Sequence, residues 1–323
     1  MAVPRSGALS LAIAVGSSLC FSTSGTLATP LLESGWSPTA AVLLRAFVAG
    51  LVLLAPALVA LRGDLRPLWR ARWRVIAYGG LGVVGTQLAY FAAIRTIPVG
   101  LALLIQYLAP LLLVGLTWVR TRRMPKPVVL VGSALSLAGL LLVIGIVGGT
   151  AAGGSLDPVG VLWALLAAVG LGIYFVLGAR PDGDIPPIAF AGFSLLVGGV
   201  LLAGVAATGL LPVTVGFADV RFLGGDVPWW LPAAGVALLA TALAYVLGVT
   251  GARRLGTRVA SFLGLAEVLF SCAFAWLLLG QALSPLQLVG GVLILAGIVF
   301  VRSERPDLPV SPDTLPIPVS EPA

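Results

Sequence analysis

The chain contains no histidine, only two cysteines, and few charges: 10% of its 323 residues are Asp, Glu, Lys or Arg. Each scarcity excludes something. Without histidine the commonest general base and metal ligand is missing, so a proton relay has to run through carboxylates. Cys20 and Cys272 both fall in apolar runs and read as free thiols among packed helices, not as a disulfide framework. A water-facing domain carries about a quarter charged residues, so this chain has too few polar groups to cover such a surface. Ten-residue strands of alternating polarity are absent, which excludes an outer-membrane barrel. So are GxSxG and HExxH, which excludes the usual serine hydrolase and intramembrane metalloprotease. "PDGD" (181–184) places Asp182 and Asp184 in a predicted loop, with no aspartate in any apolar run to pair with.

Apolar residues dominate, at 59% of the chain, with a mean hydropathy of +1.10. Ten apolar runs occur, at 7–29, 38–61, 75–94, 98–119, 127–147, 158–178, 187–207, 229–251, 258–280 and 284–302. Most approach the ~20 residues that a helix needs to cross a bilayer. Prolines open several of them: Pro38, Pro98, Pro127, Pro158, Pro187 and Pro285. Proline in a first helical turn gives up no needed hydrogen bond.

The formal charge is +7, but its placement argues against nucleic acid. With both termini in the cytoplasm, 16 of the 19 basic residues fall in inner loops and tails. Only Arg95 and Arg221 fall outside, and Arg45 lies within a span. Cytoplasmic positive charge orients membrane helices in this way. Trp36, Trp229 and Trp230 lie at predicted outer edges, and Trp69, Trp73 and Trp118 at inner ones. The first run starts like a signal peptide, but removing it would spoil the charge asymmetry, so we read it as a retained span.

Three blocks repeat in order. "LVGSALSLAGLLLV" (130–143) matches "LVGGVLILAGIVFV" (288–301) at eight of fourteen positions. "TQLAY" (86–90) matches "TALAY" (241–245), and "YLAPLLL" (107–113) aligns with "GLAEVLF" (264–270). Ordered blocks at a near-constant offset indicate duplication. The unit holds five spans, an odd number, so the second copy is inverted in the membrane. Inverted repeats are a mark of secondary transporters, whose site lies near the midplane between the halves. The expected fold is an all-α membrane protein of ten transmembrane helices in two inverted five-helix repeats, 1–147 and 158–302. An outer linker (148–157) joins them, and a disordered proline-rich cytoplasmic tail (303–323) follows.

The stretches "LLRAFVAGLVLL" (43–54), "GTQLAYFAAIRTIPVGLALLIQYLAPLLLVGLTWV" (85–119) and "LAYVLGV…VASFLGLAEVLFSCAFAWLLLGQALSPLQLVGGVLILAGIVFV" (243–249, 259–301) carry a resemblance. The chain resembles the EamA-type group of the drug/metabolite transporter superfamily. That resemblance implies a central cavity lined by spans 1, 3, 4, 6, 8 and 9. It also implies transport of small metabolites, with export of amino acids or related compounds. Relatives often carry proline after the ninth-span glutamate, where this chain has Val268.

Arg45 and Glu267 are the ionisable residues well inside predicted spans. A charge at the bilayer centre costs about 2.5–3.5 kcal/mol on insertion scales, so it faces a wet cavity or a partner. Glu267 reads as a proton, cation or substrate-amine site, or else as a hydrogen-bonded packing residue. Arg45 reads as structural, with its side chain snorkelling toward the outer interface. Pro110 breaks or kinks the fourth span and frees a carbonyl near Gln106. Gln106 and Tyr107 are candidate ligands there. Gln87 and Tyr90 share a face of the third span, and Thr241 and Tyr245 occupy matched positions on the eighth. These four, with Tyr174 on the sixth, are further candidates for the cavity wall. Ser17, Ser18 and Ser22 read chiefly as close-packing residues. So do the glycines of "GLGVVG" (80–85), which fit GxGxxG but lie inside a span. Gly132/Gly139 and Gly290/Gly297 read as matching packing faces.

The expected function is secondary transport of a small polar metabolite across the inner membrane by alternating access, with Glu267 as the coupling group for protons. No cofactor, metal or nucleic acid is implied, and the expected partners are the substrate and the bilayer. The alternatives are a passive channel, a membrane scaffold or a membrane-embedded enzyme.

Overall fold

The computed structural model describes residues 5–93, 96–97, 102, 105–143, 157–180, 185–222, 224–279 and 284–303. The linker expected at 148–157 lies outside them except for Asp157, as do "PDGD", Arg95 and all of the tail but Ser303. The chain is mostly helical. α1 (Arg5–Glu33) and α2 (Pro38–Ala60) are followed by the short α3 (Arg66–Arg70) and α4 (Arg72–Ala77). A π-helical segment (Tyr78–Gly85) leads into α5 (Thr86–Ala93), and then come α6 (Ala109–Thr121), α7 (Pro127–Val143), α8 (Pro158–Gly178) and α9 (Pro187–Ala207). A hairpin of β1 (Val220–Phe222) and β2 (Gly225–Val227) precedes α10 (Trp230–Ala237). A second π-helical segment (Leu238–Leu243) continues into α11 (Ala244–Gly264), followed by α12 (Ala266–Leu279) and α13 (Pro285–Ser303).

Local chemistry sets the boundaries. Helices start at Pro38, Pro127, Pro158, Pro187 and Pro285, as the sequence suggests; Pro98 lies outside the described residues. Ser37 caps α2 by accepting from the Ala40 N–H at 3.2 Å, and Asp157 caps α8 through Val159 at 3.0 Å. Such caps satisfy amides that the first turn leaves free.

Among the described residues five helices are long and apolar enough to cross a membrane: Gly7–Glu33, Pro38–Ala60, Pro158–Gly178, Pro187–Ala207 and Trp230–Gly264. The last is continuous only in its hydrogen bonding, because Gly256 (φ 79°, ψ 163°) turns the chain inside it. Ala109–Thr121, Pro127–Leu142 and Pro285–Val301 are shorter apolar helices. Leu288, Val292, Leu295 and Val299 form an exposed apolar stripe on α13, while Ser17, Ser18, Thr86, Ser194 and Thr241 are buried. Apolar residues outside and polar groups within suit a lipid solvent.

Two helix pairs form close contacts through glycine. On α7 and α13, a Cβ at Gly132 would meet the Gly297 carbonyl at 2.8 Å, and one at Gly139 the Gly290 carbonyl at 2.5 Å. The pairing runs antiparallel and uses the glycines read as packing faces. α2 and α9 pack in the same sense, with Gly50 against Leu196 and Gly192 against Leu53. Small residues let membrane helices approach closely enough for dispersion to hold them. In the first π segment, Gly79 meets the backbone of Ser194 and Gly198, and Gly82 that of Tyr174. Of the "GLGVVG" glycines, Gly80 meets Leu201 and Gly82 the Tyr174 backbone across helices, whereas Gly85 meets only the Gly80 carbonyl of its own segment.

Two features differ from the sequence reading. The hairpin adds a small sheet to an otherwise helical chain, because strands of three residues leave no periodicity to read. Val220 of the hairpin is buried with Leu31, Trp36, Ala40 and Ala233 at the ends of α1, α2 and α10, and the preceding loop is held there by Trp36 Nε1, which donates to the Gly216 carbonyl at 2.6 Å. Arg45 does not snorkel. It is buried, with Nε donating to Thr241 Oγ1 at 2.9 Å, Nη1 to Ser24 Oγ at 3.1 Å and Nη2 to the Ala240 carbonyl at 3.1 Å. Those acceptors are closer at hand than water and replace it.

Candidate functional site

The site is a cavity of about 80 Å³ inside the bundle, with room for several water molecules. α1 contributes Ala14, Ser17, Ser18 and Phe21, spaced as one helical face. Gly82 comes from the first π segment, and Thr86 and Gln87 from α5. Gln106 and Tyr107 precede α6, and α8 adds Leu171, Tyr174 and Phe175. Tyr245, Gly248, Ala252, Ala260 and Gly264 lie on α11, and Glu267 starts α12. Among these lining residues Glu267 carries the sole formal charge.

Breaks in two helices set this geometry. Tyr107 and Leu108 form a turn before α6, where Leu108 N–H donates to the Ile105 carbonyl at 3.1 Å. Pro110 sits in the first turn of α6, where it loses no bond. Leu265 forms the corresponding break between α11 and α12, with its N–H bonded to the Phe262 carbonyl at 3.1 Å. In the sequence alignment "YLAPLLL" lies over "GLAEVLF", so both breaks fall in the same repeat block. Glu267 follows the second break directly, and the Tyr107 hydroxyl at the first is placed to donate to its carboxylate. Among the described residues no Lys or Arg forms an ion pair with Glu267. The Gln106 Oε1 is buried and finds no hydrogen-bond donor among the described residues.

The π-helical segments match as well. Thr86 Oγ1 donates to the carbonyls of Leu81 (3.2 Å) and Gly82 (2.9 Å). Thr241 Oγ1 donates to the Val236 carbonyl at 2.7 Å. Both threonines reach back five residues, closing wide turns whose carbonyls would otherwise be stranded. Ser17 Oγ donates to the Ala244 carbonyl at 2.8 Å and Ser18 Oγ to that of Leu263 at 3.1 Å. These two hydroxyls line the cavity and also staple α1 to α11. Ser22 donates to its own helix, at Leu19.

Aromatic rings wall one side. Tyr245 lies 4.9 Å from Phe21 and 5.7 Å from Tyr174, both edge to face. Tyr174 continues to Tyr78 (5.3 Å), and Tyr78 to Phe190 (4.8 Å). Two guanidiniums lie against the Phe190 ring, Arg74 at 4.5 Å and Arg253 at 5.5 Å from its centroid. Burial first, then the charges of Arg253 and Arg180, pushes the Arg74 guanidinium down to about 10. The aromatic chain thus joins the cavity to the arginine-rich end of the bundle.

Gln87, Gln106, Tyr107, Tyr174, Tyr245 and Glu267 come together at the cavity. Tyr90 and Thr241 do not line it. Tyr90 packs beside Ala93, Ile105 and Ala164, and Thr241 is fully buried, bonded to Arg45 and Val236. Thr86, Phe21 and Gly248 were not singled out by the sequence. Thr86 alone carried a signal, as the partner of Thr241 in the repeat. A separate cleft of about 610 Å³ lies between Leu113, Thr117 and Arg120 of α6, Val176 of α8 and Leu255–Val259 of α11, with Arg120 and Arg258 in its wall.

A family model described as the EamA-like transporter family matches residues 8–145 and 158–303. Protein PecM of Dickeya dadantii is 28% identical over 271 residues, covering 82% of this chain and 83% of that protein. The threonine/homoserine exporter RhtA of Escherichia coli K12 is 27% identical over 273 residues, 77% and 84% respectively. One solved crystal structure superposes with a TM-score of 0.71 at 23% identity, covering 91% of this chain and 96% of that one.

Proposed function

Because the chain belongs to the EamA-like transporter family, a multi-pass membrane protein group, we propose that it is a secondary carrier exporting a small amine-bearing metabolite, an amino acid or a close relative, by alternating access. The observation that carries this reading is Glu267: one carboxylate in a partly open, largely apolar cavity, at the break of a discontinuous helix, with a tyrosine hydroxyl beside it and, among the described residues, no ion-paired Lys or Arg, the Arg45 charge reaching it only through space. Desolvated acceptors of this kind, Glu267 and Gln106 Oε1, are satisfied by a substrate ammonium or by a proton. Binding one excludes the other, which gives proton-coupled exchange at a single group. The amino-acid assignment leans on the RhtA relative, named for threonine and homoserine.

Ten spans in two inverted repeats fit the packing. Helices equivalent in the repeat pair with each other, α2 with α9 and α7 with α13. α1 packs on α11 as α8 packs on α5. The matched breaks and matched π segments support the same symmetry, with the cavity between the halves. The cleft walled by Arg120 and Arg258, and the hairpin at the ends of α1, α2 and α10, fit a carrier open to the cytoplasm, with both termini on that side.

Counterflow of radiolabelled amino acids in proteoliposomes, threonine and homoserine first, tests this, with wild type beside Glu267→Gln and with and without a pH gradient. Saturable flux that the gradient drives in wild type only is the expected outcome. Equal gradient response in both proteins removes Glu267 from coupling. Flux that never saturates indicates a passive channel.

A further inference from the structure

Residues 62–74 carry five arginines against one acid, Asp64. Asp64 is engaged, since its Oδ1 accepts the Arg66 backbone N–H at 2.9 Å. Within this segment α3 and α4 lie against α9 and leave a groove of about 270 Å³. Its walls are Leu65, Leu68, Val75 and Ile76 on one side and Phe193 and Val197 on the other. Trp69 and Arg72 stand at its mouth. Val197 is ten residues into α9, about 15 Å from its start at 1.5 Å per residue. That is half of a hydrocarbon core of ~30 Å, the depth of one leaflet.

The mouth is built differently from the walls. Arg72 lies against both Trp69 (5.2 Å) and Trp73 (5.7 Å), and its Nη1 donates to the Trp69 carbonyl at 3.1 Å. The guanidinium is thereby held in place, and its remaining donors have no protein acceptor among the described residues. Trp69 and Trp73 are 71% and 70% exposed, as interfacial tryptophans are. Beyond the groove on α9, Val200 and Leu201 are exposed and apolar, as a surface facing lipid requires.

A single molecule matches an anion-binding mouth beside an apolar slot whose far wall, Phe193 to Val197, runs about 6 Å along α9 and ends near the depth of one leaflet. We propose that this groove binds one acidic phospholipid, its phosphate on Arg72 and an acyl chain along Ile76, Phe193 and Val197. Such a lipid would brace the junction of α3, α4 and α9 beside the Arg74–Phe190–Arg253 stack. The site needs no transport activity and stands apart from the cavity.

The test is tryptophan quenching by phospholipids with brominated acyl chains, added to the purified full chain in neutral detergent. Phosphatidylglycerol should quench saturably, at one lipid per chain and at least tenfold lower concentration than phosphatidylcholine of the same chains. Arg72→Gln should weaken phosphatidylglycerol binding fivefold or more, and Val197→Phe should weaken both lipids by filling the slot. Arg66→Gln removes the same charge outside the groove and should change binding by less than twofold. Arg66 and Arg72 are both exposed, so neither change threatens the fold. Equal affinity for the two lipids, or equal loss in Arg66→Gln and Arg72→Gln, would overturn the site in favour of diffuse surface charge. No effect of Val197→Phe would overturn the placement of the chain.

Discussion

Gly248 offers a test of the cavity wall that depends chiefly on one of two nearby oxygen atoms, the Tyr174 hydroxyl. A Cβ at this position would collide with the Tyr174 hydroxyl and stand 2.9 Å from Ser17 Oγ. Tyr174 cannot swing away, because Phe21, Tyr78, Phe175 and Tyr245 all contact its ring. Ser17 is tied to Ala244. Gly248→Ala therefore overpacks a rigid wall, at a cost of about 1–3 kcal/mol. That cost falls on folding and should lower the melting temperature, while the added methyl also narrows the cavity that Gly248 lines, so counterflow at limiting substrate should fall as well. The nearest ring carbon of Tyr174, Cζ, lies 3.5 Å from the new methyl, an ordinary contact. Tyr174→Phe removes the oxygen and keeps the ring. The double variant Gly248→Ala/Tyr174→Phe should then be more stable and more active than Gly248→Ala alone, with a coupling of about 1 kcal/mol or more. Counterflow rates and thermal unfolding in detergent read both effects. Additive losses in the double variant would refute the reasoning, as would wild-type behaviour of Gly248→Ala.

Arg45→Lys should cost about 2 kcal/mol in thermal unfolding, because an ammonium cannot reach Thr241, Ser24 and the Ala240 carbonyl together, and a stranded buried acceptor costs about 1–3 kcal/mol. Gly139→Ala should destabilise by about 2 kcal/mol, since its methyl would meet the Gly290 carbonyl at 2.5 Å and the Ile294 nitrogen at 2.7 Å. Gly115→Ala should be neutral or stabilising by ~0.5–1 kcal/mol, because nothing lies within 4 Å of its added carbon and helical alanine is favoured. Both are read by denaturant unfolding in micelles. Gly256→Ala should lower the melting temperature through the backbone alone: its φ of 79° and ψ of 163° suit glycine, no atom lies within 4 Å, and the strain is about 1–3 kcal/mol.

The sequence by itself determined that the chain lives in a membrane, since few charges and long apolar runs allow no other solvent. It located helix starts through proline, the α7–α13 contact through matched glycines, and Glu267 through the cost of a charge in an apolar run. It pointed to a break around Pro110, which the chain makes at Tyr107 and Leu108, ahead of the proline and not through it. Only the tertiary structure decided which polar residues meet. Helical spacing says that Gln87 and Tyr90 share a face, but it does not say where the cavity ends along that face. A π turn adds a residue and rotates everything beyond it by about 100°, the angle per residue of an α-helix, so periodicity loses its phase across Tyr78–Gly85 and Leu238–Leu243. Arg45 shows the same limit from another side. Its burial cost is legible in the sequence, but its partners are Ser24, Ala240 and Thr241, the last two nearly two hundred residues away, and only packing brings them within reach.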